Sequence, residues 1–138
     1  MKVEVSSLDK RLIRFEKPLR KTAEGFFKFY KSKFSTRVEI VLVNSSQMRK
    51  INFRYRGKDE ATDVVAVEAP DFPSDSIDLN LGEIYLSPAA LKDKPHDIHY
   101  ALIHGLLHLL GFTHEGKSDK IEMEKIEKEV LIWLDHKS

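Results

Sequence analysis

Three of the six histidines in the chain stand in one window, His104-Gly105-Leu106-Leu107-His108-Leu109-Leu110-Gly111-Phe112-Thr113-His114, with the spacing H-x3-H-x5-H. Residues four apart stack on one face of a helix, so His104 and His108 aim two imidazoles at a single point. Gly111 can then stop the helix and turn the chain, and His114 supplies a third nitrogen from beyond it. Three imidazoles leave the fourth position of a tetrahedral zinc open, which separates catalytic sites from closed structural ones. The rest of the window is leucine-rich, and imidazoles clustered in apolar surroundings need partners to offset their desolvation. One metal ion per chain, zinc in the first instance, meets that need. The chain contains no cysteine, so a transition metal must be held by His, Asp or Glu.

The two intervals and the glycine match the extended zincin motif H-E-x-x-H-x-x-G-x-x-H, but Gly105 stands where that motif has glutamate. The general base of a peptidase is missing, which argues against conventional peptide hydrolysis while leaving a zincin-like fold in place. Asp97 and Glu115 are the carboxylates close enough in sequence to orient a ligand from behind. His96, His99 and His136 lack the ligand spacing and read as surface or capping groups.

Charge is divided unevenly. Residues 1–58 carry sixteen Lys/Arg against five Asp/Glu, and residues 59–138 carry seven against seventeen. The segment Arg49–Lys58 (RKINFRYRGK) holds five basic residues and no acid, a composition that attracts phosphates or forms a solvated helix face. Tyr55, Phe53 and Phe112 sit next to these motifs and could stack on bases, but aromatic residues so close to apolar neighbours read as core.

The elements that must position these groups follow from periodicity. Lys2 to Ser6 predicts a short strand, and Leu19, Ala23, Phe26, Phe27 and Tyr30 predict an amphipathic helix from about Pro18 to Phe34. Arg37 to Asn44 alternates as a strand with one buried face, and Ser45 or Ser46 caps a following helix that Gly57 stops. Thr62 to Glu68 is a β-branched run. The stretch up to Asn80, with Pro70 and Pro73, predicts a surface loop, and Gly82 to Ser87 a further strand. Pro88 opens a turn or short helix. The metal-ligand helix runs from after Pro95 to about Leu110, and a last helix from near Ser118 places Met123, Ile126, Val130 and Trp133 on one stripe. With 138 residues and 16.0 kDa, the expectation is a single domain, 1–138, of α+β class. Its mixed β-sheet packs against helices, and the metal-binding helix ends in a turn. No apolar run is long enough for a membrane span and no secretory signal opens the chain, so a cytoplasmic location is expected.

The window HGLLHLLGFTH resembles the signature of the YbeY family of bacterial metal-dependent endoribonucleases, which act in ribosomal RNA maturation. Asn52-Phe53-Arg54-Tyr55-Arg56-Gly57-Lys58-Asp59 followed by Thr62-Asp63-Val64-Val65 is similar to the family segment N-x-x-Y-R-G-K-D-x-x-T-D-V-L. Leu81-Gly82-Glu83-Ile84-Tyr85-Leu86-Ser87 resembles its L-G-D-I-x-I-S strand, and Met123 with Glu127 or Glu129 falls where a trailing M and E are expected. The chain departs from the pattern at Thr113, where the family usually has Asp, and at Val65–Glu68, where it usually continues L-S-F-P.

The resemblance implies a single-strand-specific endoribonuclease that matures the 3′ end of small-subunit ribosomal RNA and serves ribosome quality control. Zinc would be held by His104, His108 and His114, and Arg56 would be the catalytic cation on the phosphate. The partners implied are RNA and the small ribosomal subunit with its proteins, with no membrane and no DNA. The residues leave the group that takes the proton open: either metal-bound hydroxide itself serves, or the RNA 2′-OH acts as an internal nucleophile. Two other readings stand beside this one: a zinc hydrolase of another substrate, such as a peptide, and a non-catalytic ribosome-assembly factor whose metal only pins the helix to the turn at His114.

Overall fold

The computed structural model describes residues 2–30, 35–69, 78–92, 97–112 and 116–137; the side chains of 35, 36, 78, 79, 117, 136 and 137 are outside the description. Within these bounds the fold is α+β, built on one four-stranded sheet in the order β1-β2-β4-β3. The strands are β1 (Lys2–Ser7), β2 (Ser35–Leu42), β3 (Val64–Glu68) and β4 (Asp78–Leu86). β1 and β4 both run parallel to β2, and β3 pairs antiparallel with β4, so the sheet is mixed and β3 lies at its edge. The helices are α1 (Glu16–Phe29), α2 (Ser45–Arg56), α3 (Ile98–Leu109) and α4 (Lys117–Lys137).

The period of two along each strand divides the apolar side chains between two faces. Val5, Ile40, Ile84 and Ala66 are register partners across all four strands, and they belong to the main core with α1, α3 and α4. Val41, Val43 and Val65 look the other way and pack with Met48 of α2. The expectation of one buried face on β2 therefore holds only for its first half; α2 covers the second face near its end. α3 is buried nearly all round, at Ala101, Leu102, Ile103, Gly105, Leu106, Leu107 and Leu109, as its leucine-rich sequence requires.

Four boundaries differ from the sequence expectation, each for a local physical reason. A 3-10 helix, Lys10–Phe15, precedes α1, and Asp9 caps it by accepting from Arg11 N at 2.9 Å. The hydrogen bonds of Arg11 hold the Asp9 carboxyl far below its usual range. Asn44, not Ser45 or Ser46, caps α2: its side chain accepts from Gln47 N at 2.8 Å while Gln47 Oε1 accepts from Asn44 N at 3.0 Å, a reciprocal capping box. α1 ends at Phe29, short of the expected Phe34; residues 31–34 lie outside the description. β4 starts at Asp78 rather than Gly82, because Asp78, Leu79 and Asn80 pair with Ser35, Thr36 and Arg37. Asp78-Leu79-Asn80-Leu81 does alternate polar and apolar, but Asp and Asn are disfavoured in strands and favoured in turns, which masks the signal. The rest of the expected loop, 70–77, lies outside the described residues.

Gly82 sits where β4 bulges against β2, with φ 125° and its α-carbon pressed to β3. A Cβ there would lie 2.1 Å from Val67 O and 2.8 Å from Ala69 N. Both strain and collision oppose any side chain. Gly82→Ala is expected to lower the unfolding free energy by at least about 2 kcal/mol in urea titration; wild-type stability in this variant would contradict the strand register.

Candidate active site

α3 presents Tyr100, His104 and His108 at intervals of four, while Ala101 and Gly105 lie on the adjoining strip against the sheet. The small residues allow close approach: a Cβ built on Gly105 would meet Ile84 Cγ2 at 3.2 Å and Val64 Cγ2 at 3.3 Å. The position held by glutamate in the zincin motif is here packed onto the sheet, and the close packing leaves little space for a carboxylate arm. Asp97 caps the helix, accepting from Tyr100 N at 3.0 Å. Leu110 and Gly111 close its other end, with Phe112 N donating to Leu107 O at 3.0 Å and Gly111 at φ 99°, a conformation suited to glycine.

The two imidazoles converge as the spacing predicts. His104 Nε2 and His108 Nε2 are 3.2 Å apart, and the rings meet edge to face. His104 Nδ1 is 2.8 Å from Glu127 Oε1, and Tyr100 donates its hydroxyl to Glu127 Oε2. The Glu127 side chain is 1% exposed, so its charge must be met by donors within the protein. A protonated His104 Nδ1 and the Tyr100 hydroxyl meet it, and that tautomer makes His104 Nε2 an acceptor that faces His108 Nε2. Burial, followed by the bond to Glu127, pushes the Tyr100 phenol well above its usual range, so it keeps its proton.

A cleft of about 480 Å³ opens between α3 and the edge strand β3. Its α3 wall is Tyr100, Ala101, His104, Gly105 and His108; its opposite wall is Asp63, Val64 and Ala66, with Arg56 and Lys58 at the end of α2. Arg56, His104 and His108 thus line the same cleft. Asp59, three residues after Arg56, is held by Arg49 through two bonds of 2.7 and 3.1 Å. Asn52 donates to Glu60 O at 2.8 Å. These contacts fasten the turn after Gly57 back onto α2 and bring Lys58 to the cleft. Asp63 accepts from Val64 N at 3.0 Å and adds a carboxylate to the same wall.

Not every expected site residue falls here. Asp97 is a correction: its carboxylate caps α3 and lines a separate cleft between α1 and α4, two turns behind His104. The carboxylate that orients the histidine is Glu127 from α4. Its signal in the sequence is an acid at the buried spacing Met123, Glu127, Val130 of an otherwise amphipathic helix. His114, Thr113 and Glu115 lie outside the described residues, as does His96. His99 Nδ1 is 2.7 Å from Thr22 Oγ1, a packing role. Phe112 packs on the core as expected, but Phe53 and Tyr55 do not: they are 59% and 42% exposed.

Among the described residues no group of three His, Cys, Asp or Glu side chains is gathered as a metal site. The two placed imidazoles nevertheless fit one. A tetrahedral zinc with Zn–N bonds of about 2.0–2.1 Å separates two of its nitrogens by about 3.3 Å, close to the 3.2 Å found. A ligating imidazole whose other nitrogen donates to a carboxylate is the usual support for such a bond.

A family profile described as Endoribonuclease YbeY matches residues 3–135. The chain is 32% identical over 136 residues to the endoribonuclease YbeY of Mycoplasmopsis synoviae, covering 90% of this chain and 86% of that one. It is 31% identical over 160 residues to the endoribonuclease YbeY of Clostridium botulinum, covering 97% and 93%. A solution structure of TM1509 from Thermotoga maritima has the same fold at a TM-score of 0.55 and 25% identity, over 93% of this chain and 88% of that one. The profile and these relatives define a class of endoribonucleases, and the chain belongs to the YbeY family. No helix among the described residues is long and apolar enough to cross a membrane.

Replacing the orienting carboxylate by its neutral isostere tests this geometry. Glu127→Gln is expected to weaken zinc binding about 10- to 100-fold in competition with a chromophoric chelator. Unchanged affinity would remove Glu127 from the support of the site.

Proposed function

We propose that the chain is a metal-dependent endoribonuclease that cleaves single-stranded RNA during ribosomal RNA maturation, with the precursor RNA on the small ribosomal subunit as its setting in the cytoplasm. The observation that carries this reading is the convergence of two imidazole nitrogens at 3.2 Å in a cleft whose other wall presents Arg56 and Lys58. His104 and His108 would hold zinc, with His114 as the third ligand. When bound, the metal supplies a Lewis acid that polarises the phosphate and lowers the pKa of water.

The rest of the work falls to the chain's own groups. Arg56 ends α2 exposed at the cleft, and its planar fork suits two oxygens of a phosphate at once. As negative charge builds on the phosphate in the transition state, that fork stabilises it. Lys58 holds the neighbouring backbone as a point charge. Glu127 fixes the proton on His104 Nδ1, and Tyr100 keeps Glu127 from turning away. Gly105 stands where a zincin peptidase carries its general-base carboxylate, which disfavours the peptide-hydrolase reading.

The test is metal content and cleavage of a single-stranded ribosomal RNA fragment by wild type, His108→Ala and Arg56→Ala. The wild type is expected to hold about one zinc per chain, and His108→Ala to lose both metal and cleavage. Arg56→Ala should keep the metal and lose roughly 10²- to 10³-fold in rate, the usual cost of one charge-stabilising donor. Cleavage unaffected by either substitution would return the site to a structural role.

A further inference from the structure

The exposed aromatic side chains of α2 have no part in the site as described so far. The inward stripe of α2 is Met48, Ile51 and Asn52, and beyond it the Tyr55 ring, 42% exposed, stacks on Tyr85 at 6.1 Å and 25°. Arg54 lies over the other side of the Tyr55 ring at 5.5 Å. Phe53 is different. Among the described residues it joins neither apolar cluster, and it is 59% exposed. Its position, with Arg49 four residues before and Arg56 three residues after, puts it on the flank of α2 that ends in the cleft. Arg49 is held by Asp59, so it fixes the turn; Lys50, Arg54, Arg56 and Lys58 carry no ion pair among the described residues.

Leaving a phenyl ring in water on a helix surface gains nothing for folding. A single ring among cations also lacks the apolar area of a stable protein interface. It does have what a single-stranded nucleic acid requires, a flat apolar face beside positive charge, continuous with the residues that would hold the phosphate. We infer that Phe53 is a stacking platform for an RNA base, one turn of α2 away from Arg56, and so positions the strand that enters the cleft. This rests on the RNA reading above and deepens it: the platform tolerates any base, so it favours unpaired RNA over a duplex, whose bases are already stacked. Phe53 is a positioning residue and touches no reacting atom.

The experiment is equilibrium binding of a cleavage-resistant 2′-O-methyl single-stranded oligonucleotide to full-length wild type, Phe53→Ala, Phe53→Trp and Arg56→Ala, across a range of salt. Phe53→Ala is expected to raise Kd roughly 5- to 100-fold with the salt slope unchanged, because no phosphate contact is lost. Phe53→Trp should restore binding. Arg56→Ala should instead lower the salt slope by about one. Binding that Arg56→Ala weakens and Phe53→Ala does not would overturn the platform and leave the RNA reading standing. Failure of the wild type to bind any single strand would overturn both. If Phe53→Ala leaves RNA affinity unchanged but converts a sedimenting dimer to a monomer, the ring serves contact between two copies, and the inference is wrong.

Discussion

A carboxylate taken out of water must find donors, and the way Glu127 finds them organises the whole site. Its side chain lies 1% exposed where α4 crosses α3, and it is met by His104 Nδ1 at 2.8 Å and by the Tyr100 hydroxyl. An unpaired charge at that depth would cost several kcal/mol, so the three groups are bound to one another and the two helices are held in register. The consequence reaches beyond stability. With its proton committed to Nδ1, His104 turns its Nε2 towards His108 Nε2 at 3.2 Å, a spacing that serves a hydrogen bond between the rings and also suits two nitrogens on one metal ion.

The sheet supplies the other half of the constraint. α3 lies close to β3 and β4 because Ala101 and Gly105 present no bulk, and the cleft is the space left between that helix and the free edge of the sheet. α2 belongs to the opposite face, yet its last turn overhangs the edge and delivers Arg56 to the histidines. Arg49 with Asp59, and Asn52 with Glu60, prevent the following turn from carrying Lys58 elsewhere. The basic half of the chain thus supplies cations at the mouth of the cleft, and the acidic half supplies the buried carboxylate behind the histidines. A near-zero net charge conceals a site divided by sign.

Much of this was legible before any coordinates. The spacing of His104 and His108 specified their convergence, since helical geometry leaves no other outcome. Apolar periodicity located α1, α3, α4 and three of the strands within a few residues. What escaped was governed by long-range or polar contacts. Asp78 to Asn80 enter β4 through backbone pairing with β2, to which side-chain type is indifferent. Asn44 outcompeted two serines as a cap because it stands at the end of β2 with an extended backbone. Asp97 lay close to the histidines in sequence, but the helix N-terminus took it; Glu127, nineteen residues beyond His108, was brought in by α4. Phe53 read as core because its neighbours are apolar, although its position on α2 turns it outward.

The proposed activity requires one metal ion between His104 and His108, on a lone pair that Glu127 aims. Anomalous diffraction at the zinc edge from crystals of the zinc-loaded protein measures this directly. The account predicts a single peak about 2.0–2.1 Å from Nε2 of both histidines, with His104 Nδ1 still bonded to Glu127. A zinc peak elsewhere, or a ligand bond through His104 Nδ1 with Glu127 displaced, would contradict it.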